Sequence, residues 1–276
     1  MTRHGARAAL FVAALLPALA AAADDVTLDG DFVQGGLVQG WAPPGSIVTL
    51  DDRAVGLSAD GRFLIGFGRE APPRAVLRVH RPDGGGATER TLAVGQRDYR
   101  VQRIDGLPKS TVSPDPDELA RMRAEIDELK RTRDRYSGRT DYAAGFAWPA
   151  IGPITGVYGS QRILNGEPRR PHFGVDVAAP EGTPVTAPAD GVVTLRHDGM
   201  LLTGKTLTID HGQGLTSVLI HMSEITAATG QRVKRGEMVG RIGATGRATG
   251  PHLHWGVYLL TTPLDPALLV PPMPEG

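Results

Sequence analysis

After its first two dozen residues, almost every apolar run in this chain is short and is cut off by glycine, proline or an Asp-Gly pair. Runs of that length cannot build a helical bundle. They can bury their side chains only as strands, which need few residues to cross a small core. The chain has 276 residues with 36 Gly and 22 Pro, about a fifth of the total, which is above ordinary usage and below low-complexity composition. The reading is a mostly β protein of two modest domains with one linking helix. Over residues 24–95 the segments LVQGWAPPGSIVTLDD, GRFLIGF and AVLRVHRPDGGGATERTLAV, with a turn at Asp83-Gly84, predict a small antiparallel β-sandwich. In SIVTL, Val48 and Leu50 face one side and Ile47 and Thr49 the other. His80 stands alone between basic residues and reads as part of a solvated strand face.

Residues 96–141 read as a connector, with a polar stretch from Gln96 to Ser113 as the expected site of movement or cleavage, followed by the chain's one helix at about 116–135. Asp115 is placed to cap it, Pro116 suits its first position and Glu118 completes a capping-box pattern. Leu119, Met122, Ile126 and Leu129 make a narrow apolar stripe. Fewer than two heptads is too little for an isolated zipper, so the stripe is expected to pack on one of the domains. From residue 142 to about 270, Gly/Pro-punctuated β segments return, and residues 271–276 read as a frayed Pro-rich tail.

Charge and cysteine content narrow the function. Thirty Lys and Arg balance thirty Asp and Glu, so no basic field marks a nucleic-acid or membrane-surface binder. With no cysteine, thiol nucleophiles and thiolate metal sites are excluded, and a metal must use histidine and carboxylate. The opening MTRHGARAALFVAALLPALAAAA reads as a signal peptide over residues 1–23, its apolar run being too short to span a bilayer. The mature protein is expected to be exported, to the periplasm or beyond, without a membrane anchor.

Six of the eight histidines lie in the second half, in RRPHFGVDVAAP, SVLIHMSEI and TGPHLHWGVY among other settings. A catalytic zinc takes three protein ligands from histidine and carboxylate and keeps one position open. His172, Asp176 and one histidine of the His252/His254 pair supply that set. On a strand, His252 and His254 share a face while Leu253 turns inward. No helical H-E-x-x-H motif is present, so base chemistry falls to histidine.

The segments PHFGVDVAAPEGTPVTAPADGVV, TIDHGQGLTSVLIHMSEI and VKRGEMVGRIGATGRATGPHLHWGVY, in that order, resemble the lysostaphin-type zinc metallopeptidases of bacterial cell-wall turnover. The resemblance implies a β-sheet core with an open groove and one zinc ion per chain. It implies His172, Asp176 and His254 as metal ligands, and His221 and His252 as non-ligand catalytic histidines. The implied activity is hydrolysis of peptidoglycan stem peptides or cross-bridges by a zinc-activated water. A regulatory wall-binding protein that activates another hydrolase is the alternative, and a peptidase or carboxypeptidase on free peptides is a third reading. Ile220 and the run Trp255-Gly256-Val257 depart from the family's usual pattern and are expected to alter groove shape. His197 and His211 fall outside the site, with His211 shaping a turn at a strand end. Arg169 and Arg170 could attract stem-peptide carboxylates.

Overall fold

The computed structural model describes residues 25–105 and 116–274; the expected signal peptide and the expected capping residue Asp115 lie outside them. The N-terminal part is a β-sandwich. Strands Thr27–Gly30, Leu37–Trp41 and Arg62–Gly66 form one antiparallel sheet. Ile47–Leu50, Arg53–Val55, Arg74–His80 and Ala87–Ala93 form the other. Alternation places Val38, Val48, Phe63, Ile65, Leu77 and Val79 in the core between them. The expected facing of SIVTL holds, since Val48 is 2% exposed and Ile47 65%. His80 is exposed.

The C-terminal part is one large sheet. Its main path runs Arg232–Val233, Gly191–Met200, Gly204–Asp210, Leu215–Ile225, His252–Leu259, Val175–Ala178, Ile154–Gly156, each neighbour antiparallel. One face is dry: Leu207, Ile209, Leu215, Leu219, Leu253, Trp255 and Val257 are fully buried in a single cluster. The other face carries the histidines. Trp255 and Val257, expected to reshape the groove, therefore belong to the core, because strand alternation turns them away from His252 and His254.

The two parts share apolar packing. Leu37 and Leu64 of the sandwich belong to the cluster behind the C-terminal sheet. Gln213 donates to the Arg62 carbonyl at 2.8 Å and accepts from the Tyr142 hydroxyl at 2.9 Å. Arg97 pairs with the buried Asp265 at 2.8 Å.

Two expectations are corrected. The connector is not simply polar coil: Val101–Ile104 is a strand, parallel to Gln161–Leu164, which in turn pairs with Glu167–Pro168. A parallel partner so far along the chain leaves no hairpin signal, and Gln102 and Arg103 mask the strand's apolar residues. The tail is not frayed over its described residues. Trp148 donates to the Pro271 carbonyl at 2.8 Å, and Met273 packs on the main core.

The helix spans Pro116–Arg133. It lies against the C-terminal sheet: Arg121 donates to the Gly199 carbonyl at 3.0 Å, Glu125 accepts from the Leu201 N–H at 2.8 Å, and the Arg133 guanidinium lies 4.0 Å from the Tyr258 ring centre. Among the described residues no helix is long and apolar enough to cross a membrane.

His211 sits at the end of Gly204–Asp210, as expected, but is fully buried. Its Nδ1 faces the Asp190 carbonyl at 2.7 Å, which can only accept, so Nδ1 carries the proton. Nε2 then accepts from the Ser217 hydroxyl at 2.9 Å, and Ser217 accepts from the Trp255 indole at 3.2 Å. This chain of bonds suits only a neutral ring, and burial pushes the His211 pKa from 6.5 down to about 4. Between those values the unfolded chain binds a proton that the folded chain refuses, so stability falls as pH drops from about 6.5 to about 4. We predict a loss of up to about 3 kcal/mol over that window from this residue. Denaturant unfolding at pH 7 and pH 4.5 should show a shallower acid slope for His211→Gln than for the parent chain.

Candidate metal centre and flanking histidines

Three strands and one loop bring the predicted residues together. Asp176 lies on Val175–Ala178 directly opposite His254 on His252–Leu259, and His254 lies opposite Ile220 on Leu215–Ile225. The same alternation that buries Val175, Val177, Leu253 and Trp255 turns Asp176, His252 and His254 to the groove face. His172 enters from the loop before Val175–Ala178. Its backbone is tied to that of its neighbours by Gly159 N–H to the His172 carbonyl and His172 N–H to the Ser160 carbonyl, both at 2.8 Å.

The donor atoms converge. His172 Nε2 lies 3.0 Å from Asp176 Oδ1 and 2.9 Å from His254 Nδ1, and His254 Nδ1 lies 2.8 Å from Asp176 Oδ1. His172 Nδ1 is 3.1 Å from the Val157 carbonyl. A carbonyl only accepts, so the neutral ring keeps its proton on Nδ1 and turns the Nε2 lone pair toward a carboxylate oxygen. Lone pairs of nitrogen and oxygen meeting at that distance repel unless a cation lies among them, and two imidazoles with one carboxylate form a donor set that fits a divalent transition metal. These three are also the residues whose ligand atoms all fall within 4.8 Å of one another. Burial would raise the Asp176 pKa, but the His172 and His254 imidazoles beside it outweigh burial and hold the carboxyl well below the usual range. Burial pushes His254 down, toward the neutral form a metal requires.

His221 and His252 stand beside this cluster without joining it. Their ring centres are 4.7 Å apart, and His221 is 6.5 Å from His254. His221 Nδ1 donates to the Thr245 carbonyl and His252 Nδ1 to the Gly250 carbonyl, each at 2.8 Å. With Nδ1 so committed, Nε2 is the ring atom of each that is left to accept a proton, and that of His252 lies 4.0 Å from Asp176 Oδ1. Burial lowers the His221 pKa from 6.5 to about 4, so this ring is neutral at pH 7.

His221 reaches the groove by a break in its strand. Leu219 pairs with Leu207 and Met222 with Lys205, so Ile220 and His221 together oppose the single residue Thr206. His221 has φ of 65°, a left-handed conformation rare for a residue with a side chain. Strict alternation from Leu219 would send the imidazole into the core; the bulge returns it to the face of His252. Nothing in SVLIH signals this. The carbonyls of Val157, Thr245 and Gly250, which fix three tautomers, are equally invisible in a sequence. Ile220 remains on the groove face, nearly buried with Val218 and Tyr258 against Phe173. His197 is remote, on Gly191–Met200 opposite Thr206.

The groove beside the cluster is lined by Thr155, Asp176, Ala178, Gly250, Pro251 and His252. Backbone room for the carboxylate comes from Gly156, where a Cβ would stand 2.1 Å from Asp176 Oδ2.

Comparison with known proteins agrees with this geometry. Residues 170–266 match the model of peptidase family M23. A crystal structure of a putative peptidase M23 from Pseudomonas aeruginosa superposes with a TM-score of 0.66 at 31% identity, covering 86% of this chain and 94% of that one. The chain belongs to peptidase family M23, a family of metallopeptidases. Among curated relatives, the DD-carboxypeptidase/endopeptidase Mpg of Neisseria meningitidis is 43% identical over 108 residues, which is 38% of this chain and 24% of the relative. Peptidoglycan DD-endopeptidase ShyA of Vibrio cholerae is 37% identical over 141 residues, 50% of this chain and 30% of the relative. The match thus spans less than a third of the length of these relatives.

Gly156→Ala should displace the Asp176 carboxylate while leaving the core intact. Competition with a chromogenic chelator is expected to show metal affinity lowered about 10- to 100-fold, with an unchanged circular dichroism spectrum.

Proposed function

We propose that this chain is a zinc-dependent endopeptidase that hydrolyses peptide cross-links of bacterial peptidoglycan. The observation that carries the reading is the convergence of His172, Asp176 and His254 next to the neighbouring rings of His221 and His252, each held through Nδ1 by a loop carbonyl. The names of the Neisseria and Vibrio relatives point to the same substrate class. His172, Asp176 and His254 would hold the ion. Bound there, zinc supplies Lewis acidity that polarises a peptide carbonyl and acidifies water.

The rest falls to the chain's own groups. A neutral His221 or His252 can take the proton of the attacking water at Nε2, because Nδ1 is already committed to a carbonyl. Once protonated, the same nitrogen can donate to the oxyanion of the tetrahedral intermediate, or return the proton to the departing amine as the C–N bond breaks. The loop carbonyls of Thr245 and Gly250 hold the two rings in place throughout. A pure binding protein has no use for two such bases beside a metal set, which favours hydrolysis over the regulatory alternative.

The export reading rests on residues 1–23, and the organisation follows it: an accessory sandwich over 24–95, a connector over 96–141, the peptidase unit over 142–270 and a tail over 271–276. Periplasmic action is the location that fits a wall substrate.

The test is digestion of purified cross-linked peptidoglycan by the chain from Asp24 onward, followed by mass analysis of the fragments. Cross-linked dimers should give way to monomers with zinc and persist with chelator. His221→Ala and His252→Ala should each lower kcat by about 10²- to 10⁴-fold while zinc content stays constant. Dimers that survive the zinc-loaded chain would overturn the reading.

A further inference from the structure

The groove face carries a feature that the metal centre does not use. Arg133, the last residue of the helix, is only 8% exposed, and its guanidinium lies 4.0 Å from the Tyr258 ring centre. Arg170, two residues before His172, lies 5.2 Å from the ring centre of Phe173. Tyr258 and Phe173 pack in one cluster with Val218 and Ile220. Gly256 sits between that cluster and the metal centre: a Cβ there would stand 3.2 Å from Tyr258 Cε2 and 3.6 Å from His254 Nε2. The ring under Arg133 is thus a near neighbour of a candidate metal ligand, on the same face of the same strand.

Arg133 is buried and Arg170 exposed, and neither is paired with an acid among the described residues. Elsewhere Arg97 has Asp265, Arg139 has Asp210 and Arg78 has Glu89. Arg133 donates through Nε to the Leu129 carbonyl at 3.2 Å and stacks on Tyr258, but no carboxylate among the described residues reaches it or Arg170. Burial pushes the Arg133 guanidinium below its ordinary value and the like charge of Arg170 acts in the same direction, while charge interaction and a hydrogen bond with Tyr258 oppose them. A desolvated guanidinium without a counter-charge is costly to the fold, and the planar fork is shaped for a carboxylate. The aromatic faces beneath make the positive site tolerable while it waits for one.

We propose that Arg133 and Arg170 form a subsite for a carboxylate of the peptide substrate, immediately beside the candidate metal centre. The ligand class is a short peptide with a free carboxylate close to the bond to be cut. The proposal rests on the peptidase reading above and extends it, since one of the two arginines comes from the connector helix. That helix then takes part in substrate selection as well as in joining the two parts of the chain.

The experiment is calorimetric binding to the chain from Asp24 in chelator, using three synthetic stem tetrapeptides: one with free carboxylates, one amidated at the C-terminus and one amidated at its side-chain carboxylates. The free acid is expected to bind at least about tenfold tighter than one of the amides, and which amide loses affinity identifies the carboxylate. Arg133→Gln and Arg170→Gln should each remove that preference, and Arg133→Lys should keep part of it with the helix packing preserved. Equal binding of all three peptides to the parent chain, no binding of any, or a preference that survives both glutamine variants would overturn the subsite. Hydrolysis by the zinc-loaded chain separates the two readings. Cleavage without acid preference removes only the subsite, and acid preference in binding without any cleavage removes only the peptidase.

Discussion

The register of three antiparallel strands is the constraint on which the site depends. Asp176 opposite His254, and His254 opposite Ile220, are fixed by residues on the other side of the sheet. Val177, Leu219, Leu253 and Trp255 are buried there, each stabilising the pairing by about 1.5–3 kcal/mol. A slip of one residue in any of these strands would turn the histidines inward and the large apolar groups to water. The position of the donor set is therefore a consequence of the core, and the metal need not organise the sheet in order to find its ligands.

His221 is the exception to that periodicity. The bulge and the left-handed backbone at this residue cost stability locally, of the order of 1–3 kcal/mol, and are held in place by the pairs on either side. What the distortion obtains is a second imidazole on the groove face, close enough to His252 to share a proton acceptor's role but tied to a different loop.

Much of this was legible in the residues. Short punctuated runs imply strands, the alternation in SIVTL holds residue by residue, and HLH on a strand places two imidazoles on one face. The triad followed from the ordered segments around His172, Asp176 and His254, whose convergence the fold supplies. Less legible were features that depend on backbone or on distant partners. The strand Val101–Ile104 owes its pairing to residues far along the chain, and the tail to a tryptophan on another loop. Trp255 and Val257 were misjudged because departure from a pattern was weighed without the alternation that sends them inward. Arg133 is not one of the apolar residues that make the stripe of its helix, and only the fold reveals that it is buried over Tyr258.

Leu37 and Leu64 of the sandwich lie in the same apolar cluster as the residues behind the catalytic sheet, and Gln213 bridges the Arg62 carbonyl to Tyr142. The accessory region is thus one wall of the peptidase's own interior. Removing it would uncover the apolar surface that Leu37 and Leu64 cover, so the two parts are joined by shared packing rather than strung like beads. Sequence change at their junction is constrained as core change is, and a chain of this kind diversifies at its loops and groove rim while its two halves evolve as a single body.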